Sequence, residues 1–128
     1  MRKGFFITME GTEGSGKSTQ ARLLVQALRR RGRAVVQTRE PGGTSLGQAL
    51  RSILLTSDGT GMTPLAEALL LSTDRAQHVA EVIRPALSAG CIVLADRYVD
   101  SMLAYQGFGR ELPLETLEAL ARIATEGV

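Results

Sequence analysis

The stretch Gly11-Thr12-Glu13-Gly14-Ser15-Gly16-Lys17-Ser18 matches G-x-x-x-x-G-K-[ST] in full. Each residue type in it has a physical task around a polyphosphate. Glycine admits backbone conformations that let successive N–H groups curl around one anion. A helix opening behind Gly16 adds about half a positive charge at its N-terminus. Lys17 brings a full charge to the β- and γ-phosphates, and the Ser18 hydroxyl is a ligand for Mg²⁺, with Thr19 next in the same turn. The pattern predicts binding of a nucleoside triphosphate. It does not say where the phosphoryl group goes.

A second constellation follows the apolar run Cys91-Ile92-Val93-Leu94-Ala95, which ends in Asp96. A carboxylate at such a strand end can hold Mg²⁺ through water or orient a neighbouring arginine. Ser18 and Asp96 are therefore the metal candidates, and Lys17, Asp96 and Arg97 the catalytic candidates. Arg39, Arg75 and Arg97 could line a second anion site. Glu13 sits inside the phosphate loop, where a carboxylate repels phosphate, so it is expected to point away, toward a sugar hydroxyl of an acceptor.

These residues need elements to carry them. Phe5 to Met9 is a short run of bulky apolar residues and reads as a buried strand. A helix is predicted from Lys17, with Ala21, Leu24, Val25 and Leu28 on one face, Arg29 to Arg31 in its last turn and Gly32 as its stop. Ala34 to Thr38 reads as a second strand, and Arg39-Glu40-Pro41-Gly42-Gly43-Thr44 breaks regular structure. Ser45 is expected to cap a helix to about Leu55, followed by a loop over Ser57 to Gly61. Thr63-Pro64 opens a long helical region to about Ala89, kinked or divided by Pro85. Cys91 to Ala95 is a strand covered on both faces, and Pro113 opens a last helix with Leu114, Leu117, Leu120, Ala121 and Ala124 inward. Strands alternating with helices imply an α/β fold with a parallel sheet flanked by helices. In such sheets ligands bind beyond the carboxyl ends of the strands, where Gly11, Arg39 and Asp96 would meet.

Composition removes other classes. The 128 residues correspond to one domain or part of one. At 44% hydrophobic and 22% charged, the chain is not a disordered segment. No apolar run approaches the roughly 20 residues of a membrane span, and no secretory signal is read. Net charge of +2 does not call for a nucleic-acid polymer or a membrane, and 4% aromatics without Trp disfavour a base-stacking surface. The single cysteine, Cys91, fits a reducing cytoplasm and is expected to be a small buried apolar residue. His78, the single histidine, is expected to be a surface or core residue rather than a catalytic one. The chain contains no Asn, so the N-K-x-D guanine motif of GTPases is absent, and Asp58-Gly59-Thr60-Gly61 reads as a turn. The readings left are a small kinase, or a nucleotide-binding module without kinase activity.

Four stretches together resemble the bacterial branch of the thymidylate kinase family: Glu10 to Thr19, Arg39 to Thr44, Asp74-Arg75-Ala76-Gln77, and Asp96-Arg97-Tyr98 followed by Ser101 and Ala104-Tyr105-Gln106-Gly107. The resemblance implies a P-loop kinase fold in which residues 1–128 are one domain, the N-terminal two thirds of the family's length. The third strand would lie between the first and second, leaving the first as an edge. It implies transfer of the γ-phosphoryl group of ATP to dTMP, with Mg²⁺, by a cytoplasmic homodimer. By position, Glu13 would face the 3′-hydroxyl, Arg39 and Arg97 the acceptor phosphate, and Arg75 a thymine carbonyl. Ser101 and Gln106 would lie near the base, and Tyr105 against the deoxyribose. The family has Phe where Leu71 stands, which removes a ring that would stack on thymine. The family also continues past Val128 with a lid carrying catalytic arginines. A chain without that lid is expected to bind phosphate and turn over poorly. An acceptor such as dUMP is the nearest alternative to dTMP.

Overall fold

Three short stretches rich in β-branched and bulky residues form a parallel sheet: β1 (Phe5–Met9), β2 (Val35–Arg39) and β3 (Ile92–Asp96). The computed structural model describes residues 2–10, 16–56, 61–96 and 112–128. Among these the strand order is β1-β3-β2, with β3 in the centre. Met9 of β1 and Arg39 of β2 both pair in register with Asp96 of β3. The carboxyl ends of all three strands thus fall on one line, as the sequence reading requires.

The central position explains the uniform hydrophobicity of β3. Ile92, Val93, Leu94 and Ala95 are each no more than 3% exposed. Successive strand residues point to opposite faces. Val93 packs on Val79 and Ile83, whereas Leu94 shares a cleft with Ala21 of the first helix, so helices cover both faces. At β1 the expectation needs correction. Its apolar run is not fully buried: β1 is an edge among the described strands, as the family resemblance implied, and Phe5 is half exposed beneath the Arg33 guanidinium. An apolar pentapeptide does not itself distinguish an edge from a centre.

Helix α1 (Lys17–Arg30) follows β1, with Val25 as its buried anchor and Ala21, Leu24 and Leu28 half-buried. Helix α2 (Ser45–Leu55) is capped by Thr44, whose hydroxyl accepts the Gly47 N–H at 2.9 Å; Ser45 is the first helical residue rather than the cap. Thr63 caps α3 (Pro64–His78), accepting the Ala66 N–H at 3.1 Å. The helical path then widens into a π turn (Val79–Ile83) before α4 (Arg84–Ser88). Pro85 lacks the N–H that an α-helix would donate four residues back, and the wider turn accommodates it without ending the helix. Helix α5 (Leu114–Thr125) buries Leu117, Ala121 and Ala124 and packs on α3, but Leu114 is exposed. Cys91, expected to be buried, is only partly so. No described helix is long and apolar enough to cross a membrane.

Candidate functional site

The turn into α1 sets the first part of the site. Gly16 adopts φ +86, a left-handed conformation that favours glycine, and among the described residues no side chain caps the helix it opens. No capping oxygen among the described residues takes up the first-turn amides, which suits an anion at that end. Lys17 reaches across to β3 and forms an ion pair with Asp96. Its side chain is 12% exposed, that of Asp96 49%. Lys17, Ser18 and Asp96 line a cleft of about 250 Å³ with Met9, Thr38 and Leu94. The two metal candidates are thus brought together. One carboxylate and one hydroxyl are hard oxygen donors, and Mg²⁺ is commonly held by one or two carboxylates plus substrate phosphates, so the donor set fits that ion.

The second part is buried. Arg75 is 3% exposed and donates from Nε to Glu40 Oε1 at 2.6 Å. The other oxygen, Oε2, lies 2.7 Å from His78 Nδ1, and His78 Nε2 meets Thr38 Oγ1. An ionised carboxylate only accepts, so Nδ1 carries a proton; Nε2 accepts from the threonine hydroxyl in the neutral ring and donates to it in the imidazolium. The Glu40 backbone N–H donates to the Asp96 carbonyl at 3.0 Å. The loop after β2 is thereby tied to both α3 and β3. Arg51 of α2 adds a bond to the Pro41 carbonyl at 2.9 Å. Arg39 is exposed, and its side chain lies against Gly42. Leu71 is half-buried one helical turn before Arg75.

Gly43 permits the close approach of this loop to His78. A Cβ there would lie 2.6 Å from His78 Nε2 and 2.8 Å from the Arg39 carbonyl oxygen. The backbone oxygen cannot swing aside, so Gly43→Ala should destabilise the fold by about 1–3 kcal/mol. The urea midpoint measures this; an unchanged midpoint would contradict the packing.

Asp74, 1% exposed, accepts the Gly42 N–H at 3.1 Å through Oδ1, while Oδ2 is buried with no hydrogen-bond partner among the described residues. Burial raises its pKa above the ordinary 3.8, and the Glu40 charge adds to this, against the Gly42 amide, His78 and Arg75. A raised carboxyl pKa means that the folded state binds the proton more tightly than the unfolded chain. Ionised Asp74 thus costs stability at neutral pH, and the cost is relieved as pH falls through the folded value toward 3.8. Wild type should gain stability relative to Asp74→Asn over that descent. Parallel stability–pH curves for the two proteins would refute it.

Gly11, Thr12, Glu13, Gly14 and Ser15, and likewise Arg97, Ser101, Tyr105 and Gln106, lie outside the described residues. The set formed by half-buried Thr38 and buried Glu40, Asp74 and His78 was not singled out from sequence as part of a site. A signal existed: Leu71, Asp74, Arg75 and His78 fall at i, i+3, i+4 and i+7, so polar residues occupy the inward face of α3.

A parallel sheet flanked by helices, with a phosphate-loop lysine meeting an acidic residue at the end of the central strand, defines a P-loop nucleotide-binding fold of the nucleoside monophosphate kinase type. A family model described as thymidylate kinase matches residues 9–125, and the chain belongs to that family. It is 57% identical over 123 residues to a thymidylate kinase from Synechococcus sp. (strain JA-3-3Ab), covering 96% of this chain and 59% of that protein. Over 127 residues it is 56% identical to a thymidylate kinase from Leifsonia xyli subsp. xyli, covering 99% of this chain and 60% of the relative. The crystal structure of thymidylate kinase from Ehrlichia chaffeensis superposes with a TM-score of 0.85 at 38% identity, covering 95% of this chain and 68% of that one. The chain spans about three fifths of the length of its curated relatives.

Proposed function

We propose that the protein carrying this chain is an ATP-dependent dTMP kinase, transferring the γ-phosphoryl group of ATP to dTMP to give dTDP and ADP. The observation that carries the reading is the alignment of Met9, Arg39 and Asp96 on one sheet edge with Lys17 reaching across to it. That edge can hold a donor on the phosphate loop and an acceptor phosphate opposite.

The acceptor is a phosphate monoester, whose second pKa is about 6. Near neutral pH its oxygen is already a nucleophile, so no general base is required, unlike the hydroxyl kinases. The obstacle is repulsion between two polyanions: one unit-charge pair at 4 Å is worth about 4 kcal/mol at an effective dielectric of about 20. Lys17 offsets charge on the donor; Arg39 and Arg97 would do so on the acceptor. Asp96 holds Lys17 before the nucleotide arrives and is released when Lys17 turns to the phosphates. Ser18 and Asp96 are the residues that would hold Mg²⁺, which would supply charge neutralisation and orientation to the donor phosphates. Arg75 is assigned to a carbonyl of the base, with Ser101 and Gln106 beside it, Tyr105 against the sugar and Glu13 toward the 3′-hydroxyl. Leu71 supplies apolar contact to the base without stacking.

The same reading includes a cytoplasmic homodimer. Its support is the set of exposed apolar side chains on two adjacent helices, Leu46, Ile53 and Leu55 of α2 and Leu65 and Leu69 of α3. The decisive experiment is ADP release by the intact protein with dTMP, dUMP, AMP or CMP as acceptor. Strong dependence on dTMP, with lesser use of dUMP, is expected, because one methyl group is worth only about 1–3 kcal/mol. ATP hydrolysis indifferent to all four would instead identify a nucleotide-binding module without kinase activity.

A further inference from the structure

The ion pair between Arg75 and Glu40 poses an energetic question. Its side chains are only 4% and 2% exposed. Such buried pairs are weak stabilisers, because desolvation offsets most of their attraction, and apolar replacements of similar volume often do as well. A group of polar side chains wedged between α3 and the end of β2 therefore calls for a reason other than stability.

Geometry supplies one. Both oxygens of Glu40 are engaged, Oε1 by Arg75 Nε and Oε2 by His78 Nδ1. His78 is fully buried and is held in turn by Thr38, one residue before Arg39. The Glu40 main chain is bonded to Asp96, the residue that meets Lys17. Glu40 is thus a bracket. Its backbone is fixed to the strand end where phosphates would meet, and its side chain grips the arginine assigned to the base. An in-plane bond to Nε sets the plane of a guanidinium, and with it the directions of the remaining N–H groups.

We propose that Glu40 is a positioning residue for Arg75: its carboxylate, braced by His78 and Thr38, fixes the guanidinium plane relative to Asp96 and so sets selection for a pyrimidine that presents a carbonyl. The inference rests on the assignment of dTMP as acceptor. A guanidinium donates only, so it favours the carbonyl edge of thymine or uracil over the amino edge of cytosine. A donor held in place rejects the wrong edge; a donor free to swing does not.

The test uses the intact protein and its Glu40→Gln, Thr38→Val and Arg75→Ala variants, with the Glu40→Gln/Arg75→Ala double variant. Dissociation constants for dTMP, dCMP and ATP are measured for each by calorimetry. Glu40→Gln should weaken dTMP binding about tenfold or more, since the acceptor kept for Arg75 Nε is no longer charged and one amide oxygen cannot accept from both Arg75 and His78. The preference for dTMP over dCMP should narrow, with ATP affinity unchanged. Thr38→Val, on a partly exposed side chain that leaves the ion pair intact, should shift dTMP in the same direction by a few-fold, and it carries the test if Glu40→Gln does not fold. In the Arg75→Ala background, adding Glu40→Gln should cost dTMP nothing further, because the two act as one unit. A loss of dTMP and ATP affinity alike, or an equal loss with and without Arg75, would show a merely structural role and overturn the proposal. If wild type binds dTMP and Arg75→Ala weakens it while Glu40→Gln and Thr38→Val do not, Glu40 has no such role and the kinase reading stands. If wild type binds no dTMP, both fall.

Discussion

Lys17→Ala should lower kcat/KM for ATP in the intact protein by about 10²–10³-fold or more, the usual consequence of deleting one preorganised group that meets developing transition-state charge. The fold should survive. Asp96, the partner left behind, is 49% exposed and can return to water. An ion pair so accessible on one side contributes at most about 1 kcal/mol. Activity and stability therefore separate at this position, which makes the experiment clean. Lys17→Arg should rescue little: a planar guanidinium on a longer stem does not reproduce a compact ammonium at the mouth of a glycine loop. Turnover within tenfold of wild type for Lys17→Ala, with normal folding, would remove the phosphate loop from the mechanism.

Different parts of the molecule were legible in the sequence to different depths. The helix start at Gly16-Lys17 and the strand end at Asp96 could be read because local chemistry fixes them. A helix must open behind Gly16, and an apolar strand ending in a carboxylate must emerge at a sheet edge, so their meeting follows from strand alternation and handedness alone. The contact between Lys17 and Asp96, 79 residues apart, is the result. The thymidylate kinase resemblance rested on four such stretches, and the family match over residues 9–125 agrees with it. The family resemblance placed β3 in the centre and β1 at the edge, but hydrophobicity alone could not. Phe5 to Met9 and Ile92 to Ala95 are both apolar runs, and what separates them is the number of neighbours, which is non-local. The cap at Thr44 was misplaced by one residue because threonine and serine, adjacent here, are both competent caps.

The buried polar set was the least legible part. His78 was read as a surface or core residue and is fully buried, but nothing in its immediate neighbourhood names Glu40 as its partner, 38 residues earlier. Glycines in the loop after β2 read as a break in regular structure. Their further task, bringing a backbone within contact of a histidine ring, depends on where α3 lies. A polar face on a helix is visible in one dimension; what it faces is not.

The same buried set carries the largest stability effect expected in the molecule. Glu40→Ala would leave Arg75 and His78 in a site where both are at most 3% exposed, with the carboxylate between them removed. Removing one partner of a buried pair costs about 3–5 kcal/mol, because the remaining charge loses the counter-charge placed against it. Against a total stability of about 5–15 kcal/mol, the variant should sit near its unfolding threshold at room temperature. Glu40→Gln, which retains an acceptor for Arg75 Nε, should lose distinctly less. A second substitution checks the cause: if uncompensated charge is responsible, Arg75→Met in the Glu40→Ala background should recover a substantial part of the loss, whereas a cavity left by the missing side chain would not be refilled by it. Denaturant midpoints of the three variants decide between charge and volume, and a Glu40→Ala variant within about 1 kcal/mol of wild type would mean that water reaches the site and compensates Arg75.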